Sequence, residues 1–104
     1  MEEPVLNVNM TMFVAALSYL KQEKGRRTLR IAYENGQMLL QCRDAPMSIP
    51  SEGTWPRAAI IPWSSLPKVD QRARPVFPKA QIALIGLERE VDIGGLRVPC
   101  KWED

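Results

Sequence analysis

Three carboxylates alternate along "LEREVDI": Glu88, Glu90 and Asp92. Residues two apart on a strand project from one face, and paired carboxylates held together can serve as acid and base. The same stretch supplies its own counter-charges. Across a turn at Gly94-Gly95, Arg97 falls opposite Asp92 and Lys101 opposite Glu88, which predicts a solvated, charge-paired sheet face. Ser64-Ser65 lies in "PWSSLP", where capping a helical turn is the ordinary role of serine. The chain has no histidine, the side chain whose unperturbed titration lies nearest neutrality. The phosphate-cradling patterns GxGxxG and GxxxxGKS/T do not occur in it. No enzymatic activity is expected.

Cys42 and Cys100 are far apart, with no CxxC spacing. A structural zinc site takes about four Cys or His ligands, so neither a metal nor another cofactor is expected. Both cysteines fall at inward positions of their strands and read as buried free thiols, small hydrophobes in effect. A disulfide between them stays open.

Two basic groups could meet phosphate. "KQEKGRRTLR" carries Lys21, Lys24, Arg26, Arg27 and Arg30, and "KVDQRARPVFPK" carries Lys68, Arg72, Arg74 and Lys79. From these, Lys21, Lys24, Arg26, Arg27, Arg72 and Arg74 are the candidate nucleic-acid contacts, since phosphate binding asks only for accessible cations. Trp55, Trp63 and Trp102 are the candidate partner-binding residues, because an indole can stack on a base or anchor a protein interface. At least one indole is also needed to close the core.

With 104 residues the chain is long enough for one domain, 1–104, with a modest core. Fourteen Lys/Arg against twelve Asp/Glu leave a net charge of +2, too balanced to argue for nucleic acid by itself. "MEEP" is acidic where a signal peptide would carry a basic region. The longest apolar stretch, around "MTMFVAALSYL", is about half the roughly 20 residues of a membrane span. A cytoplasmic protein without membrane contact is expected.

The elements that position these residues follow from periodicity. "PVLNVNM" alternates and predicts a first strand. From Thr11 to Lys24 the period becomes helical, with Phe13, Ala16, Leu17 and Leu20 on one face, Asn9 or Thr11 as the cap and Gly25 as the stop. "RTLRIAYENGQMLLQC" predicts a hairpin turning at Asn35-Gly36, which sets Tyr33 against Met38, Ile31 against Leu40 and Leu29 against Cys42 on the core side. Seven of the nine prolines lie between Pro46 and Pro78, so the middle is expected as short interrupted strands and loops. Within it, "TWPRAAII" reads as a strand and "PWSSLPKV" as a turn or a single helical turn starting at Pro62. "AQIALIGL" reads as a strand buried on both faces, followed by a hairpin at Gly94-Gly95. There Ile93 faces Leu96, Val91 faces Val98, and Pro99 places the final strand at a sheet edge.

The outline strand, helix, glycine-turn hairpin thus occurs twice. "MFVAALSYLKQ…RTLRIAYENGQMLLQC" and "AAIIPWSSLPKV…AQIALIGLEREVDIGGLRVPC" together resemble one domain of a DNA sliding clamp, over most of the chain. The resemblance implies an α+β fold, an antiparallel sheet packed on one long and one short helix. It also implies self-association, because one such domain cannot encircle DNA. The chain departs from the clamp pattern where the outward face of the first helix carries Thr11, Ala15, Ser18 and Gln22 rather than a row of cations. The expected function is a non-enzymatic binding module with a clamp-like fold, acting through a protein partner or by self-association. DNA contact through the basic loops is the second reading, and a small inhibitor or immunity-type protein that blocks a partner is the alternative.

Overall fold

The computed structural model describes residues 4–20, 28–42, 45–66 and 81–103. The chain runs β1 (Val5–Asn9), α1 (Met10–Leu20), β2 (Thr28–Glu34), β3 (Gln37–Cys42), β4 (Ala45–Thr54) and β5 (Ala59–Pro62). A 3-10 turn at Trp63–Ser65 follows, then β6 (Gln81–Gly86), β7 (Glu90–Ile93), β8 (Leu96–Pro99) and β9 (Lys101–Trp102). All pairings are antiparallel, in the order β8-β7-β6-β1-β4-β3-β2-β5-β9.

This corrects the expected α+β packing on one long and one short helix. Strand makes up 62 % of the described residues, and α1 is the one α-helix among them. The second helical segment is three residues long and buries no side chain. Pro67 comes next in sequence after Leu66, and a residue before proline is driven out of the helical region. Leu66 accordingly leaves the turn extended, at φ −71° and ψ 146°.

The local patterns hold where periodicity is strong. Asn9 caps α1, its Oδ1 accepting from the Met12 N–H at 3.0 Å, and Phe13, Ala16, Leu17 and Leu20 are the buried face. Positions 21–27, over which the helical period continues, lie outside the described residues. At the first turn Asn35 and Gly36 both take positive φ, 52° and 78°, as a two-residue hairpin loop requires. That sets Tyr33 on Met38, Ile31 on Leu40 and Arg30 on Gln41. In the second hairpin Ile93 meets Leu96, Asp92 meets Arg97 and Val91 meets Val98. β6 departs from expectation: Ile82 and Leu84 are buried on one face, but Ala83 and Ile85 on the other are only half-buried.

One cluster of buried side chains joins the sheet to α1, with Leu6, Phe13, Leu20, Ile31, Met38, Leu40, Ile61 and Leu84 sealed from solvent. Leu40 shows how much each contributes. It is 0 % exposed and lies between Ile31 on β2 and Met47 on β4. Leu40→Ala is expected to cost about 2–5 kcal/mol in urea unfolding, the range for truncating a buried leucine. A loss below about 1 kcal/mol would show that the site is not core.

The middle of the chain holds the largest surprise. β4 is ten residues long and contains Pro46 and Pro50, where interrupted strands are expected from the sequence. Its first part pairs with β3 and its last four residues with β1. The Ser51 N–H donates to the Gly36 carbonyl on the β3 side, at 3.0 Å. Since backbone groups alternate sides along a strand, the nitrogens of Pro46 and Pro50 point away from β3. No strand among the described residues pairs there, so these prolines remove no ladder bond.

The expectation for the last segment holds in part. β8 stands at one end of the sheet and pairs only with β7, as Pro99 implies, but the strand does not continue along β7 to Trp102. Instead Cys100 donates to the Arg89 carbonyl on the β7 side at 2.9 Å, and Glu103 donates to the Ala58 carbonyl on the β5 side at 2.8 Å. β9 pairs with β5 through Ile60 with Lys101 and Ala59 with Trp102. Written in order the sheet is open, but its two end strands are one stretch of chain interrupted at Cys100 alone. Residues 96–103 therefore bridge the two ends of a strongly curled sheet.

Candidate functional site

The candidate nucleic-acid residues Lys21, Lys24, Arg26, Arg27, Arg72 and Arg74 all lie outside the described residues. Arg30, in the same basic run, is described. Its guanidinium forms a two-pronged pair with Glu103, Nε to Oε1 at 2.8 Å and Nη2 to Oε2 at 2.9 Å. The hydrogen bond to Arg30 holds the Glu103 carboxyl below its ordinary range, and the same bond raises Arg30. The Arg30 and Glu103 side chains are 40 % and 38 % exposed, so water screens the pair and its contribution is modest.

The sign of its pH dependence follows from the lowered carboxyl. A carboxylate whose pKa falls on folding stabilises at neutral pH, and that stabilisation is lost as pH drops through the folded value. Glu103→Gln is therefore expected to flatten the acid limb of a stability-versus-pH curve below the ordinary carboxylate range. Identical acid limbs for the two proteins would show that the pair contributes nothing.

Two of the three candidate tryptophans are brought together. Trp55 is 4 % exposed and donates its indole N–H to the Ile31 carbonyl at 3.1 Å. Trp102 is half-buried and donates to the Leu87 carbonyl at 2.9 Å. The two rings tilt together with centroids 5.2 Å apart, within the range of favourable aromatic pairs. Gly86 is the seat of the Trp102 ring, because a Cβ there would overlap the indole edge and Pro4. The Arg57 guanidinium stands 6.0 Å from the Trp102 ring centroid, at the outer limit of a cation–π contact. Trp63 lies on the 3-10 turn, half-buried against the core cluster.

The carboxylate series is not one strand face. Glu90 and Asp92 lie on β7, while Glu88 precedes it and Lys101 pairs with Ile60 instead. Asp92 spends one oxygen on the turn, accepting from the Gly95 N–H at 2.7 Å. Among the described residues no group of three or more Cys, Asp or Glu is placed to hold a metal ion. The two cysteines are not joined in a disulfide; Cys42 is buried, and Cys100 is only half-buried where full burial is expected. Burial, with the Glu90 carboxylate nearby, pushes the Cys100 thiol up, away from the nucleophilic thiolate.

The outward face of α1, which lacks a row of cations, also exposes two large apolar side chains that its sequence pattern did not bring out. Met12 is 42 % exposed and Tyr19 59 % exposed, with exposed Thr11 and Ala15 beside them. Positions 12, 15 and 19 share one side of the helix, flanking the buried stripe of Phe13, Ala16, Leu17 and Leu20. No residue from Met10 to Leu20 is charged. That charge-free run is the signal in the sequence that could have pointed to it, since solvated helix faces are ordinarily polar.

No protein-family model, curated protein or solved structure matches the chain.

Proposed function

We propose that the protein is a non-enzymatic binding module that acts by contact with another protein through the outer face of α1. The observation that carries this reading is the pairing of Met12 and Tyr19, both exposed, on a helix whose described residues, Met10–Leu20, carry no charge. Water gains nothing from such a face, whereas a partner groove gains anchors at i, i+3 and i+7, the spacing by which helices dock. Tyrosine adds a large, stiff contact area with a polar tip, the chemistry enriched at interface hot spots. The inhibitor reading uses the same face and differs only in what contact does to the partner. Two cysteines outside any disulfide suit a reducing, cytoplasmic setting. No helix among the described residues is long and apolar enough to cross a membrane.

The test is residue-specific cross-linking in cells that make the protein. A photoreactive benzoylphenylalanine at Tyr19 is expected to give one discrete protein adduct. The same group at Gln37, exposed beside the first hairpin turn, should give none. Met12→Glu with Tyr19→Glu should abolish the adduct formed from Ala15 while leaving the unfolding midpoint unchanged. Equal adducts from positions 19 and 37 would contradict the reading. DNA contact through the two basic segments is tested separately by gel shift, where phosphate binding must weaken steeply with salt.

A further inference from the structure

The segment that closes the sheet is held by a short ladder and by side chains. Its ladder to β5 is two residue pairs, extended by the Glu103 N–H on the Ala58 carbonyl. Prolines explain why it stops there. The alternation that turns Ala58 and Ile60 towards β9 also turns Pro62 that way, and the alternation that turns Lys101 and Glu103 towards β5 does the same for Pro99. Neither proline has an N–H, so the ladder cannot run past Ile60 and Lys101.

Side chains supply the rest of the hold. The Trp102 indole rests on Gly86, donates to Leu87 and meets Trp55, and the Glu103 carboxylate grips Arg30 on β2. The surface under the segment is thus a recognition site with three readable parts. It has an open strand edge at Ala58–Ile60, a glycine-floored seat for an indole, and a guanidinium for the carboxylate that follows.

We propose that Lys101–Glu103 is an exchangeable strap, and that the site beneath it takes the same segment of a second copy to form a strand-exchanged dimer. The occupant is set by the chemistry: every copy carries the tryptophan, the next-door carboxylate and the extended backbone that the site reads. Exchange re-forms the same contacts between chains, so only connectivity changes and rising concentration favours the dimer by mass action. A lifted strap leaves the Ile60 N–H and carbonyl unpaired on an exposed edge, which templates strand addition. The α1 face has no part in this, so the two proposals fail independently.

The test uses two full-length variants, Arg30→Glu and Glu103→Arg, each of which sets like charges together whether the strap closes at home or on an identical neighbour. Each alone is expected to sediment as a monomer. Mixed at equal concentration they should shift to a dimer, because both exchanged contacts then join opposite charges. The guanidinium introduced into one strap meets the carboxylate introduced into the other chain's site, and the second strap restores the original Glu103 to Arg30 pair. The double variant, paired again within one chain, should match the unaltered protein. A mixture that sediments as the two separate monomers would overturn the proposal. A second measurement does not depend on the variants folding. The unaltered chain, concentrated at its urea midpoint and returned to buffer, is expected to yield a dimer on size exclusion, and a purely monomeric profile would likewise overturn it.

Discussion

Replacing Gly53 with alanine is expected to destabilise the protein by about 3 kcal/mol, as two costs of ~1–3 kcal/mol each coincide. The first is backbone strain. Gly53 has φ +144°, a conformation that residues with a Cβ rarely adopt. The second is overlap, because a Cβ at this position would run into the Val5 carbonyl of the neighbouring strand. That carbonyl is backbone, so no rotamer change relieves the clash. Gly36→Ala separates the two costs. Gly36 also has positive φ, but nothing lies within 4 Å of its missing Cβ. It should lose only about 1–2 kcal/mol, the conformational cost alone. Equal losses in urea unfolding at the two positions would show that β4 does not press on β1 as described.

Phe13→Ala is expected to destabilise the protein by about 3–5 kcal/mol, the range for truncating a buried aromatic. Phe13 is 0 % exposed and opens the buried face of α1, where it joins the cluster that includes Leu6 on β1 and Leu40 on β3. A domain of this size has roughly 5–15 kcal/mol in all, so this one change could remove much of it. Tyr19→Ala at an exposed position of the same helix should stay within about 0.5 kcal/mol, as surface substitutions do. The pair of variants therefore separates the structural face of α1 from its contact face. If Tyr19→Ala destabilised as much as Phe13→Ala, the outer face would be packed against the protein itself and unavailable to a partner.

What the sequence made legible was local. Phe13, Ala16, Leu17 and Leu20 declare a buried helix face by spacing alone, and Asn35-Gly36 fixes a register that carries Ile31 and Leu40 to the core together. The failures are all cases where a partner far along the chain decides the outcome. Pro46 and Pro50 look like strand breakers until it is known which side of β4 lacks a neighbour. Pro99 marks β8 as an end strand, which it is, yet the chain just beyond it crosses to β5, where Ala59 meets Trp102 from far back in the sequence. Glu103 finds Arg30 at a separation of 73 residues, which no local pattern encodes. The lack of cations on the outward side of α1 was legible, but periodicity did not place Met12 and Tyr19 there, exposed beside the buried stripe.

The most direct test is whether residues 96–103 join both ends of the sheet in one molecule. Glu90 with Pro99, and Ala59 with Trp102, are directly opposed pairs that do not exchange hydrogen bonds. In such antiparallel pairs the Cα atoms approach to about 4.5 Å, so the α-protons are in close contact. Nuclear Overhauser spectra of the dilute, monomeric protein are predicted to show strong α-proton cross-peaks for both pairs. A Glu90–Pro99 cross-peak without one between Ala59 and Trp102 would contradict the account, because the chain would then end on a free edge.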